Sequence, residues 1–162
     1  MARIGINSAA RYVKILEQMG HDINSTIRHT VFVGAEVMAD EIRKNIEDLP
    51  EVSKHKRKGD GKYTGIPADQ KQDLLNSLGV APMLSDGDVT NTVIWFNGYG
   101  STPTKLWAKG LPNGILGAVV ERGSSVRRAT PFIRPAVNKK RREAQKKMEE
   151  KFNDEIRKIK GI

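Results

Sequence analysis

The sequence predicts an α+β protein in which long N- and C-terminal helices pack on a small antiparallel sheet, with long loops between. Three observations predict this. Near the start, Ile27, Val31, Ala35, Met38, Ile42, Ile46 and Leu49 recur every three or four residues, the mark of one apolar helical face. At the end, Val137, Ala144, Met148, Phe152, Ile156 and Ile159 keep helical spacing too. Between them the period shortens to that of strands, on either side of a turn signal at Asp86-Gly87.

Taken in order, residues 8–20 form a short helix, with Tyr12, Ile15, Leu16 and Met19 on one face, Gly20 at its stop and Asp22 able to cap the next helix. The long helix, 22–49, carries Glu36, Asp40, Arg43, Lys44 and Glu47 opposite its apolar stripe and ends at Pro50; it is the spine of the domain. Residues 50–66 read as a basic flexible loop. It contains Lys54-His55-Lys56-Arg57-Lys58, and too little apolar surface to offset the entropy of ordering it. It could serve as a finger contacting DNA or a partner, but Tyr63 alone is interleaved to stack on bases, so a solvated loop is the preferred reading.

Residues 67–97 hold a short helix and two strands. Pro67 suits the first turn of the helix, whose inward residues are Leu74, Leu75 and Leu78. The strands are Leu78–Leu84 and Asp88–Asn97, and Pro82 within the first marks a sheet edge. Residues 98–134 are loops with a short helix through Ile115, Leu116, Val119 and Val120, closed by Gly123. The basic C-terminal helix, 135–160, has Pro135 in its first turn, which would hold Arg134 extended before it. No internal repeat interrupts a single domain over residues 1–162.

Composition narrows the function classes. The chain has 162 residues, 38% of them hydrophobic, enough for one modest core. No apolar run approaches the roughly 20 residues that cross a bilayer, and Met1-Ala2-Arg3-Ile4 does not open a secretory signal, so no membrane is expected. Cysteine is absent, which removes thiol nucleophiles and thiolate metal sites and fits assembly in a reducing cytoplasm. With 28 Lys and Arg against 19 Asp and Glu, a formal charge of +9 invites a nucleic-acid reading, although charge bears on solubility and association as much as on function.

Reactive constellations are missing from the pattern. His21, His29 and His55 have no second ligand at metal-binding spacing. Gly59-Asp60-Gly61 follows no apolar strand, and Gly98-Tyr99-Gly100 lacks the lysine and helix of a phosphate loop. Ser124 and Ser125 sit among arginines without a base nearby in sequence. A binding or assembly role is expected, with no enzyme activity, no cofactor and no metal.

One segment carries a specific likeness. Glu121, Gly123 and Ser124 (or Ser125), then a basic stretch, then Pro131, Phe132, Arg134, Pro135 and Ala136 opening the last helix, together resemble the signature of the tail-completion, or minor tail, family of siphophages. Met38–Ile46 resembles the end of that family's long helix, and Asp73–Leu78 the place where its members pass from helix into the first strand. Asn97-Gly98-Tyr99 fits one branch of it. The likeness runs in matching order over residues 27–155; Thr64-Gly65 departs from it, lying further upstream of Leu74 than in many members.

The resemblance implies a virion protein of the phage neck that completes the tail and joins it to the head. It would form a homo-oligomeric ring, a hexamer being favoured, between connector and tail-tube proteins. DNA would pass through the ring without sequence-specific binding. The protein would reside in the host cytoplasm during assembly. A ring needs two different patches on each subunit. Trp107 in the 98–110 loop, and the basic residues Arg127, Arg128, Lys139, Lys140, Arg141 and Arg142, are the candidate interface, because they combine an aromatic loop with charge that an acidic neighbour could neutralise. The alternative is a cytoplasmic DNA-binding protein using Lys54–Lys58 and Lys139–Arg142 on phosphates.

Overall fold

A computed structural model describes residues 13, 23–52, 61–86 and 89–160. The expected helix at 8–20 and the basic run Lys54–Lys58 lie outside the described residues, Val13 apart. Among the described residues, helices and a small ribbon of sheet make an α+β fold in the order α1 (Ile23–Glu47), α2 (Ala68–Ser77), β1 (Leu78–Val80), β2 (Leu84–Asp86), β3 (Val89–Asn91), β4 (Ile94–Phe96), α3 (Asn113–Arg122) and α4 (Ile133–Lys160).

α1 and α4 are the frame. With 25 and 28 residues, they extend for about 37 and 42 Å at 1.5 Å per residue. They run antiparallel, as three links along their length show: Asn45 donates to the carbonyl of Phe132, Glu41 meets Lys139, and Gly34 faces Met148. At one end of the pair lies the core: Ile42, Ile46 and Leu49 from α1 and the segment after it, Phe132 and Ala136 from the start of α4, and Ile66, Leu74, Leu78, Leu116 and Val120 from the elements between. Phe96 meets the Phe132 ring edge-to-face, with 6.0 Å between centroids. Further along, among the described residues, α1 and α4 close on one another through Ala35, Met38 and Ala39 on α1 and Ala144, Met148 and Ile156 on α4.

The sheet differs from the expected pair of unbroken strands. β1 pairs with β4 in the register Leu78↔Phe96 to Val80↔Ile94, and β2 pairs with β3 from Leu84↔Asn91 to Asp86↔Val89. Three residues separate β1 from β2, whereas two separate β3 from β4. Ala81 donates to the carbonyl of Val93 and Thr92 Oγ1 bonds the Ala81 carbonyl, so Pro82 and Met83 together stand against Thr92. This is a β-bulge, and it explains the proline: the extra residue of a bulge needs no ladder hydrogen bond. Pro82 marks a bulge inside a two-stranded ribbon.

Two further expectations are corrected. The 50–66 segment is not free throughout, since Ile66 donates to the Pro50 carbonyl, Val52 donates back to Ile66, and Tyr63 exchanges backbone hydrogen bonds with Val126 and Arg128. The final helix starts at Ile133, so Arg134 is helical and not extended. The cause is a cap contributed by another helix, described next.

Candidate functional site

The segment bearing the family likeness folds into a junction that fixes how α4 leaves the core. Helices begin with amides that have no intrahelical acceptor. Here one carboxylate takes three of them: Glu121, in the last turn of α3, accepts from the backbone N–H of Phe132 at 2.7 Å, Ile133 at 2.8 Å and Arg134 at 3.0 Å. Pro135 follows and has no amide to satisfy. Negative charge at a helix N-terminus is also favourable to the helix dipole. This cap holds Arg134 in helical conformation despite the proline after it.

The other signature residues serve the same turn. Gly123 ends α3 at φ 80°, and a Cβ there would lie 2.8 Å from the amide nitrogen of Ala129. Ser124 Oγ accepts from the amides of Val126 and Arg127. Phe132 and Ala136 are fully buried, while Pro131, Arg134 and Pro135 are exposed. All eight residues belong to one continuous junction.

The expected basic interface divides. Arg127 is withdrawn from it, being only 3% exposed. Its guanidinium donates to Tyr63 Oη at 3.0 and 3.2 Å and to Gln70 Oε1 at 2.8 Å, and lies 5.1 Å from the Tyr63 ring centroid. It ties the 61–66 segment to the turn before α4. Its Nη1 is buried without a hydrogen-bond partner. Lys139 and Lys140 are partly committed inside the chain, at 2.6 and 3.9 Å from the carboxylate of Glu41, which is buried between the two long helices. The hydrogen bond from Lys139, with the charge of both lysines, holds the Glu41 carboxyl below its ordinary value. Lys140 also bonds Glu143 at 2.6 Å, which raises its own pKa. Arg128, Arg141 and Arg142 remain exposed.

Trp107 stands on a built structure. The 98–112 loop is closed at its base by hydrogen bonds from Gly100 to the Leu111 carbonyl and from Asn113 to the Gly98 carbonyl, with Gly110 against the Gly100 backbone. It is fastened to α2 by Ser101, whose amide and hydroxyl bond Asp73, and by Thr102, whose hydroxyl bonds Asp69. At the outer end Thr104 and Trp107 exchange two backbone hydrogen bonds around Lys105 and Leu106. The result is a pinned knob with Leu106 90% exposed and Trp107 39% exposed.

A second apolar surface was missed at the level of sequence. Along the β3–β4 strand, exposure alternates without a break from Val89 to Phe96, because the bulge lies on the opposite strand. Val89, Val93 and Trp95 therefore share the outer side, and the Leu84↔Asn91 pairing sets Leu84 beside them. All four are exposed, from 48% for Trp95 to 67% for Leu84. The inner residues Ile94 and Phe96 are equally apolar, so alternation alone could not say which side faces water.

Among the described residues no group of three or more His, Cys, Asp or Glu is placed to hold a metal ion, and no helix is long and apolar enough to cross a membrane. Comparison with protein-family models, curated proteins and solved structures finds no match to this chain.

Proposed function

We propose that the chain is a structural component of a long-tailed phage neck, completing the tail and joining it to the head as a ring around the DNA path. One observation carries this reading. The residues through which the sequence resembles tail-completion proteins, Glu121 to Ala136, form one mechanical unit, with an acid capping a helix, a glycine turning the chain and a phenylalanine anchoring the helix in the core. A likeness in scaffold residues is the kind that a shared architecture preserves. The side chains of Glu121, Ser124, Phe132 and Ala136 all act on other parts of the same chain, which suits assembly without catalysis. The exposed knob and ribbon supply two separate surfaces for neighbouring subunits. On this reading the protein resides in the virion, and in the host cytoplasm before assembly.

The test is genetic. A nonsense codon in this reading frame should yield filled heads and separate tails by electron microscopy, and supplying the chain in trans should restore joined, infectious particles. Infectious particles made without the chain would sink the proposal.

A second reading, duplex DNA binding, draws on exposed Arg128, Arg141 and Arg142 in a chain of charge +9. It expects retardation of duplex DNA whose affinity falls steeply with salt. Retardation that is strong and salt-sensitive, in a protein that never joins tails, would favour it over the neck.

A further inference from the structure

Among the described residues, the knob and the ribbon both turn apolar side chains to solvent, and they differ in shape and in charge. The knob is a tight turn projecting Leu106 and Trp107 from a loop pinned to α2. Its segment, residues 98–112, contains two lysines and no acid. The ribbon offers a broad face made by Leu84, Val89, Val93 and Trp95. Its segment, residues 78–97, contains two aspartates and no Lys or Arg, in a protein that is strongly basic elsewhere.

A two-stranded ribbon is marginal without something packed on it. α1 contacts the ribbon through β1 and β3, while on the other side, among the described residues, Leu84, Val89, Val93 and Trp95 stay exposed. Large exposed apolar residues gathered on one surface mark interaction sites more often than scattered ones do. The knob, held by its own hydrogen bonds, loses little entropy when an aromatic and a leucine are buried from it, which is what an anchor residue needs.

We infer that the Leu106–Trp107 knob of one copy docks on the Leu84–Trp95 ribbon face of the next. A basic convex anchor meets an apolar face in an acidic segment, and the local charges attract although two chains of +9 repel overall. The contact joins different patches of identical chains, so it is head-to-tail. It propagates from copy to copy and closes into a ring where the rotation permits. The inference rests on the ring reading given above, and names the surfaces that make the ring.

The chain has no cysteine, which makes disulfide trapping clean. Leu106→Cys and Val93→Cys are prepared separately, at exposed positions whose change leaves the core intact. Equal amounts mixed under mild oxidation should give a dimer-mass band that neither variant gives alone. The double variant should give a ladder of higher multiples. Both tryptophans of the chain lie in the proposed contact, so fluorescence should shift to the blue as protein concentration rises. Leu106→Asp should weaken self-association by roughly tenfold or more.

Trapping is read both in concentrated purified protein and in virions. A dimer band from Leu106→Cys alone that the mixture does not strengthen would mean knob meets knob and would overturn the inference. So would the absence of any cross-linked band from the mixture in both settings. If the chain is present in virions but never cross-linked, the docking inference fails and the neck reading stands. If the mixture cross-links in solution but the chain is absent from virions, the neck reading fails and the contact stands.

Discussion

The two halves of the α1–α4 pair solve the same packing problem in different ways. Near the core, a large ring joins the two helices: Phe132 packs in one cluster with Ile42, Ile46, Leu74 and Val120, to which α2, α3 and the ribbon also contribute. Toward the other end, among the described residues, the buried apolar side chains come from α1 and α4. There the helices approach through small side chains, with Gly34, Ala35 and Ala39 on one side and Ala144 on the other, and with Met148 against Gly34. A many-layered core tolerates bulk because several elements supply its walls. A two-helix stem gains burial only by bringing the backbones close, and it accepts a buried ion, Glu41, where the partner helix offers two lysines.

Substitutions should separate the halves. Phe132→Ala opens a cavity in the many-layered half and should cost about 3–5 kcal/mol of unfolding free energy in denaturant titration, the largest effect of the series. A loss below about 1 kcal/mol would mean that α4 is not anchored through this ring. Next comes Glu121→Gln, which keeps one carbonyl acceptor but removes the charge and the second oxygen from three helix-start amides. It should cost about 1–3 kcal/mol, and hydrogen exchange should quicken first at Phe132, Ile133 and Arg134.

In the stem the effects are smaller and depend on pH. The Glu41 carboxyl is held below its ordinary 4.5 in the folded protein. Its contribution to stability is therefore whole above 4.5 and is lost as pH falls through the depressed value. Glu41→Gln should flatten that part of the acid limb, so wild type and variant converge toward low pH. Parallel acid titrations of the two proteins would expose a fault here by failing to converge. Lys140 acts in the opposite sense. Its raised pKa keeps its contribution whole below 10.5, with loss only as pH climbs through the higher folded value.

Gly34→Ala should be the mildest change. A Cβ there lies 2.5 Å from Met148 Sδ, but the methionine is flexible, and alanine favours the helix by about 1 kcal/mol over glycine. The net shift should stay within about 1 kcal/mol, whereas Gly34→Leu, which Met148 cannot accommodate by turning aside, should cost about 1–3 kcal/mol. Equal stability of the alanine and leucine variants in thermal melts would show that the helices do not pack closely at this point.

The helices were legible because their apolar period persists over many turns; the expected 22–49 and 135–160 are observed as 23–47 and 133–160. The hairpin was legible from its turn and its β-branched residues, but not its register. Strands of three residues contain too few alternations to reveal one extra residue between them. The knob was partly legible through Trp107, whereas Leu106, the more exposed of its pair, carried no local mark. Arg127 could not be placed from sequence, since what buries it, Tyr63 and Gln70, lies 64 and 57 positions away. Glu121 stood out within a motif, but its role became clear only when the turn after Gly123 brought Phe132, Ile133 and Arg134 back to its carboxylate. Glu41 was not singled out among the charges of the long helix, and only the position of α4 makes it internal.

Pro82 has a consequence beyond its own turn. Side chains on a regular strand take alternate sides, so a bulge, which absorbs one residue, shifts the parity of every residue beyond it. Were Pro82 and Met83 each to take a regular ladder position, Leu84 would stand opposite Thr90 on the inner side, and the outer stripe would consist of Val89, Val93 and Trp95 from one arm alone. The bulge thus acts as a parity switch, turning a leucine outward without altering a residue of the opposing arm.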